Sequence, residues 1–95
     1  MIENLMTNNF KTLCVLYNYQ IILPNGTKYT PLSQVDIAKI LNVSTITMNS
    51  IFKYLKKNNL VIPFENKRGT YCLTDKALII LDGINDIENK IKEVK

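Results

Sequence analysis

Apolar positions along the chain change period from block to block, and the periods define the elements. From Ile2 to Tyr19 the apolar residues are Ile2, Leu5, Met6, Phe10, Leu13, Cys14, Leu16 and Tyr17. Steps of three and four dominate, which places them on one stripe and predicts an amphipathic scaffold helix. Pro24-Asn25-Gly26 then signals a turn, and Lys28-Tyr29-Thr30 alternates polar and apolar before Pro31, predicting a very short strand. Ser33, with Asp36 three residues on, forms a capping-box pattern. Val35, Ile37, Ala38, Ile40 and Leu41 follow as a second helix, ending near Leu41 because Asn42 suits the left-handed conformation that stops helices. Ser44 is placed to cap a third helix that runs to about Asn58, with Asn58-Asn59 ending it. Leu60-Val61-Ile62 reads as a strand cut by Pro63, which fits an edge position. Asn66-Lys67-Arg68-Gly69 reads as a hairpin turn, and Thr70-Tyr71-Cys72-Leu73 as the returning strand. Thr74 caps a last helix from Asp75 to about Val94.

The expected fold class is mostly α with a small β-hairpin: helix, short strand, helix, helix, strand, strand, helix. Only three residues, Asn42-Val43-Ser44, join the second and third helices, so these must meet in a tight corner. Ala38 supplies the small residue needed where they touch. Ile37, Leu41 and Val43 are expected to face inward on one side of the corner, and Met48 and Ile51 on the other. On a helical wheel Met48, Ile51, Phe52 and Leu55 of the third helix cluster as core. Ile46, Ser50, Lys53 and Lys57 lie opposite, with Asn49 beside them. In the last helix Ile80, Ile84, Ile87, Ile91 and Val94 are spaced four, three, four, three, which is a coiled-coil seam. Leu78, Ile79 and Leu81 widen its first half, as packing against the domain core requires.

Composition bounds the rest. Ninety-five residues make one domain, 1–95, and a core this small gains from pairing with a second copy. No run of eighteen apolar residues exists, and the N-terminus lacks a basic region before an apolar stretch, so no membrane span and no secretory signal are expected and the compartment is the cytoplasm. Cys14 and Cys72 have no histidine to accompany them, which argues against a zinc site or any other metal. Both are expected to be small buried hydrophobes rather than a disulfide in a reducing compartment. Without histidine or a glycine-rich loop, imidazole catalysis and phosphate cradling drop out, and Asp82 with Asp86 reads as a solvated face. No catalytic site and no cofactor are expected. The net charge of +4 divides as +1 over residues 1–32 (two lysines, one acid), +4 over 33–69 (six bases, two acids) and −1 over 70–95 (four lysines, five acids). Positive charge gathered in the middle third favours a polyanionic partner.

The stretch Leu32–Val61, LSQVDIAKILNVSTITMNSIFKYLKKNNLV, resembles the helix-turn-helix of winged-helix regulators of the multiple-antibiotic-resistance type. Leu55 to Val61 fits the family's leucine- and lysine-rich helix end and "GLV"-like strand start, with Asn for Gly. Asn66 to Asp75 matches its basic hairpin running into a Leu-Thr helix cap. In size, helix order and wing the chain is also similar to the small DNA-binding adaptors of tubulin-type plasmid and phage partition systems. The resemblance implies a homodimer on double-stranded DNA, as a transcriptional repressor or autoregulator. The alternatives are a centromere-binding adaptor, whose further partner would be a filament protein, and a winged helix used only for protein contact. Within this fold the third helix enters the major groove. Asn49 can then bond adenine, Thr45 and Ser50 base edges or phosphates, Ile46 a thymine methyl, and Lys53 guanine or phosphate, with Ser44 and Lys57 completing the DNA-binding set of this helix. The resemblance places Lys67 and Arg68, at the wing tip, in the adjacent minor groove or on its phosphates. The last helix, 75–95, either folds back on the first or, as preferred here, pairs with a second copy through Ile80, Ile84, Ile87, Ile91 and Val94.

Overall fold

The computed structural model describes residues 7–93, without the side chains at 85, 88, 92 and 93. Its described elements are α1 (Asn8–Asn18), β1 (Ile21–Ile22), β2 (Lys28–Tyr29), α2 (Gln34–Leu41), α3 (Thr45–Lys57), β3 (Val61–Pro63), β4 (Tyr71–Leu73) and α4 (Asp75–Glu93). The molecule is thus mostly helical, with two small antiparallel hairpins, β1–β2 and β3–β4. Among the described residues, no helix is long and apolar enough to cross a membrane.

α1 starts later than its hydrophobic pattern suggests. Thr7 takes the N-cap position in extended conformation, and its side chain accepts from the Phe10 N–H. Ile2, Leu5 and Met6, expected on the same helix, lie outside the described residues. Within α1 Thr12, Leu13, Val15 and Leu16 are buried, and the Thr12 hydroxyl donates to the Asn8 carbonyl at 2.7 Å. The strand β1 carries no alternation long enough to be read from sequence. It forms because the turn at Pro24-Asn25-Gly26 closes on it: the Gly26 N–H donates to the Leu23 carbonyl and the Leu23 N–H to the Thr27 carbonyl, each at 2.8 Å. Gly26 supplies the positive φ, 87°, which a side chain resists. Thr30 continues β2 to a single bridge with Tyr71, so β4 has a neighbour on both sides.

Two Schellman closures set the α2–α3–β3 path. At the end of α2 the Val43 N–H donates to the Ala38 carbonyl (3.0 Å) and the Asn42 N–H to the Lys39 carbonyl (3.2 Å), with Asn42 left-handed at φ 55°. At the end of α3 the Leu60 N–H donates to the Leu55 carbonyl (2.9 Å) and the Asn59 N–H to the Lys56 carbonyl (3.1 Å), with Asn59 at φ 58°. Asparagine fills both positions that glycine usually takes, because its short polar side chain tolerates the left-handed region.

The core joins Leu13 and Leu16 of α1, Ile37 and Ala38 of α2, Met48, Ile51, Phe52 and Leu55 of α3, Leu60, Val61 and Tyr71 of the second hairpin, and Ala77 and Leu81 of α4. Leu41 and Val43 are half-buried against it, as the tight corner requires. The two hairpins are tied by the stacked rings of Tyr29 and Phe64, 4.3 Å between centroids. Pro63 belongs to β3 and pairs with Tyr71, rather than cutting the strand short. It is tolerated because β3 is an edge strand paired with β4 alone.

Two expectations about packing change. Ile79 was expected to widen the core face of α4 but is 72% exposed, because Ala77 and Leu81 set that face and Ile79 lies across the helix from them. Cys14 and Cys72 were expected to be buried and are each half-buried. Partial burial pushes the Cys72 thiol above its ordinary pKa, so it is a poor thiolate source.

Candidate nucleic-acid interface

α3 is fixed along its whole length by its inner face. Met48, Phe52 and Leu55 are fully buried and Ile51 nearly so. Its start is fixed by Ser44, an extended N-cap whose side-chain oxygen accepts from the Thr47 N–H at 3.0 Å and donates its own proton to the Thr47 hydroxyl at 2.9 Å. Ser44, expected among the DNA-contacting residues, is exposed, and its hydroxyl orients the first turn through this cap.

The opposite face is open. Thr45, Ile46, Asn49, Ser50, Lys53 and Lys57 are all exposed, and Ile46 reaches 81%. Their spacing puts Ile46, Ser50, Lys53 and Lys57 in one row, with Asn49 on one flank. That flank turns toward the second hairpin. Lys56 lies two turns beyond Asn49 on the same side, and its ammonium stands 5.1 Å from the centroid of the Tyr71 ring. The same ring contacts Phe52 at 4.6 Å between centroids, and its hydroxyl accepts from the Gln34 side-chain amide at 2.9 Å. Tyr71 therefore locks α2, α3 and the hairpin into one unit, and Lys56 is drawn away from the open row.

On the other flank stands Tyr54, 49% exposed, which the sequence reading passed over. Its signal was present: an aromatic residue at an outward wheel position between lysines. It adds a hydroxyl and a ring edge beside Ser50 and Lys57.

The tip of the second hairpin is built from two consecutive turns. The Lys67 N–H donates to the Phe64 carbonyl (3.4 Å), and the Lys67 carbonyl accepts from both the Thr70 N–H (3.3 Å) and the Thr70 hydroxyl (2.6 Å). Phe64 N–H to Thr70 carbonyl, 2.9 Å, closes the base. Gly69 is left-handed at φ 82°, although a Cβ there would meet nothing within 4 Å. The glycine is needed for conformation rather than space. Lys67 and Arg68 are thrown outward, both exposed, with exposed Glu65 reducing the tip's charge from +2 to +1.

The seam of α4 lies beside its core face. Ile80 packs against the core, Ile84 and Ile91 are half-buried, Ile87 is 53% exposed, and Val94 lies outside the described residues. The start of α4 is anchored to the end of α3: the Thr74 hydroxyl donates to the Asn59 carbonyl (2.6 Å) and the Lys76 ammonium to the Asn58 carbonyl (3.0 Å). A cation at that helix end also complements its dipole.

Comparison with protein-family models, curated proteins and solved structures finds no match. What the open face does must therefore follow from its own residues.

Proposed function

We propose that the chain is a sequence-specific double-stranded DNA-binding protein of the winged helix-turn-helix type, working as a homodimeric repressor or autoregulator in the cytoplasm. The observation that carries this reading is the division of α3. One face is sealed in the core, and the other offers hydroxyls, an amide, two lysines and a single isoleucine, with no acid among them. A solvated face of an ordinary helix mixes both signs of charge. A row of donors free of carboxylates suits a groove lined by acceptors and phosphates. The hairpin locked to α3 through Tyr71 takes the place of the wing, and Lys67 and Arg68 are its phosphate or minor-groove contacts. The half-buried seam of α4 supplies the contact between copies.

Selection of binding sites from fragmented genomic DNA tests the proposal. The protein should enrich a short sequence, with an inverted repeat if the pair is two-fold symmetric. Failure to retain any duplex at low salt contradicts it and leaves protein contact as the use of this face.

A further inference from the structure

We propose that this interface selects A·T base pairs, with Ile46 reading thymine through its C5 methyl group. The inference rests on the DNA-binding reading above and names the kind of site it takes. Ile46 is the most exposed large apolar side chain among the described residues, at 81%. It stands on the first turn of α3, held rigid by the Ser44–Thr47 cap, in the middle of a polar row. At 81% exposure it buries little apolar surface, and a β-branched side chain slightly disfavours helix. In the major groove the one apolar group on a base-pair edge is the thymine methyl.

Its neighbour points the same way. Asn49, one turn along, carries the side-chain amide that pairs with adenine N6 and N7. Isoleucine and asparagine side by side match thymine and adenine. Guanine is most often read by Arg or Lys, yet the chain's one arginine is not on α3, and Lys53 stands two turns from Ile46. That arginine, Arg68, is exposed at the hairpin tip, where it suits the narrow, electronegative minor groove of A·T-rich DNA. The helix and the hairpin thus favour the same composition by independent chemistry.

The test uses three duplexes of equal length: alternating dA–dT, alternating dA–dU, which lacks only the methyl groups, and alternating dG–dC. Affinities are read at low salt by fluorescence anisotropy. Wild-type protein should bind dA–dT tightest, with dA–dU weaker by about fourfold for each methyl contacted, and dG–dC weakest. Ile46→Ala should bind dA–dT and dA–dU equally, and Ile46→Val should keep part of the difference. Arg68→Ala should narrow the gap between dA–dU and dG–dC while leaving the ratio of dT to dU unchanged. Ile46 is exposed, so its variants should melt as wild type does. Equal wild-type affinity for dT and dU duplexes, or a preference for dG–dC, overturns the proposal while leaving DNA binding intact. No binding to any of the three overturns the DNA reading itself, and this inference with it.

Discussion

At the residue scale a few side chains set the path, and most show why they were legible. Asn42 and Asn59 could be placed as helix stops because left-handed closure at a helix end needs glycine or asparagine, and both adopt it. Asn42→Gly should raise stability by a few tenths to about 1 kcal/mol, and Asn42→Ala should lower it by about 1 kcal/mol, in urea unfolding. Gly83 has no such duty. It sits inside α4 without a positive φ, and an added Cβ meets nothing within 4 Å. Gly83→Ala should therefore stabilise by about 0.5–1 kcal/mol, and a loss of stability would show that the position makes a close contact the single chain does not display. Asp36 accepts from the Ser33 N–H at 3.1 Å, and these hydrogen bonds with Ser33 hold its carboxyl below its ordinary pKa of 3.8. Because the folded value is the lower one, the capping contribution is present above the ordinary value and is lost as pH falls through the folded one. Acid titration of stability should show this loss in wild type and not in Asp36→Ala.

At the element scale the helices were read more fully than the hairpins. Long periodic stripes identify a core face from sequence alone, as Met48, Ile51, Phe52 and Leu55 show. β1 is two residues long and has no period to read; it exists through its partner β2. The hub at Tyr71 was also invisible, since its contacts with Phe52, Lys56 and Gln34 join residues far apart in sequence. Two substitutions measure these assignments. Phe52→Ala should cost about 3–5 kcal/mol, a large share of a small domain's stability of about 5–15 kcal/mol. Tyr71→Phe removes only the hydrogen bond with Gln34 and should cost about 0.5–1.5 kcal/mol. The face of α4 was legible in outline but not in detail. Leu81, expected to pack on the core, is buried there beside Ala77, whereas Ile79, expected with it, is 72% exposed because the face is set by the neighbours the helix meets.

At the scale of the whole molecule, two properties follow from the proposed function: pairing of chains and binding of DNA. Replacing Ile87 and Ile91 with Lys puts two charges on the α4 seam, and sedimentation should then report a monomer or an unfolded chain where wild type should report a dimer. A wild-type monomer at tens of micromolar, roughly the range in which homodimers persist, contradicts the dimer. On the proposed reading the open row of α3 should specify base order, while the hairpin tip should supply attraction that depends on charge and on A·T content but not on base order. Phosphate contacts and base contacts separate in a salt titration, because each lost phosphate contact removes about 0.9 from the slope of log affinity against log salt. The deciding measurement is fluorescence anisotropy of Asn49→Ala and of the Lys67→Ala/Arg68→Ala pair, on a selected duplex and on one of shuffled order but equal base composition, across a range of salt. The hairpin variant should weaken on both duplexes together and show a flatter slope. Asn49→Ala should lose about 1–3 kcal/mol on the selected duplex, far less on the shuffled one, and keep the wild-type slope. Equal losses on both duplexes for Asn49→Ala would contradict a groove-reading α3.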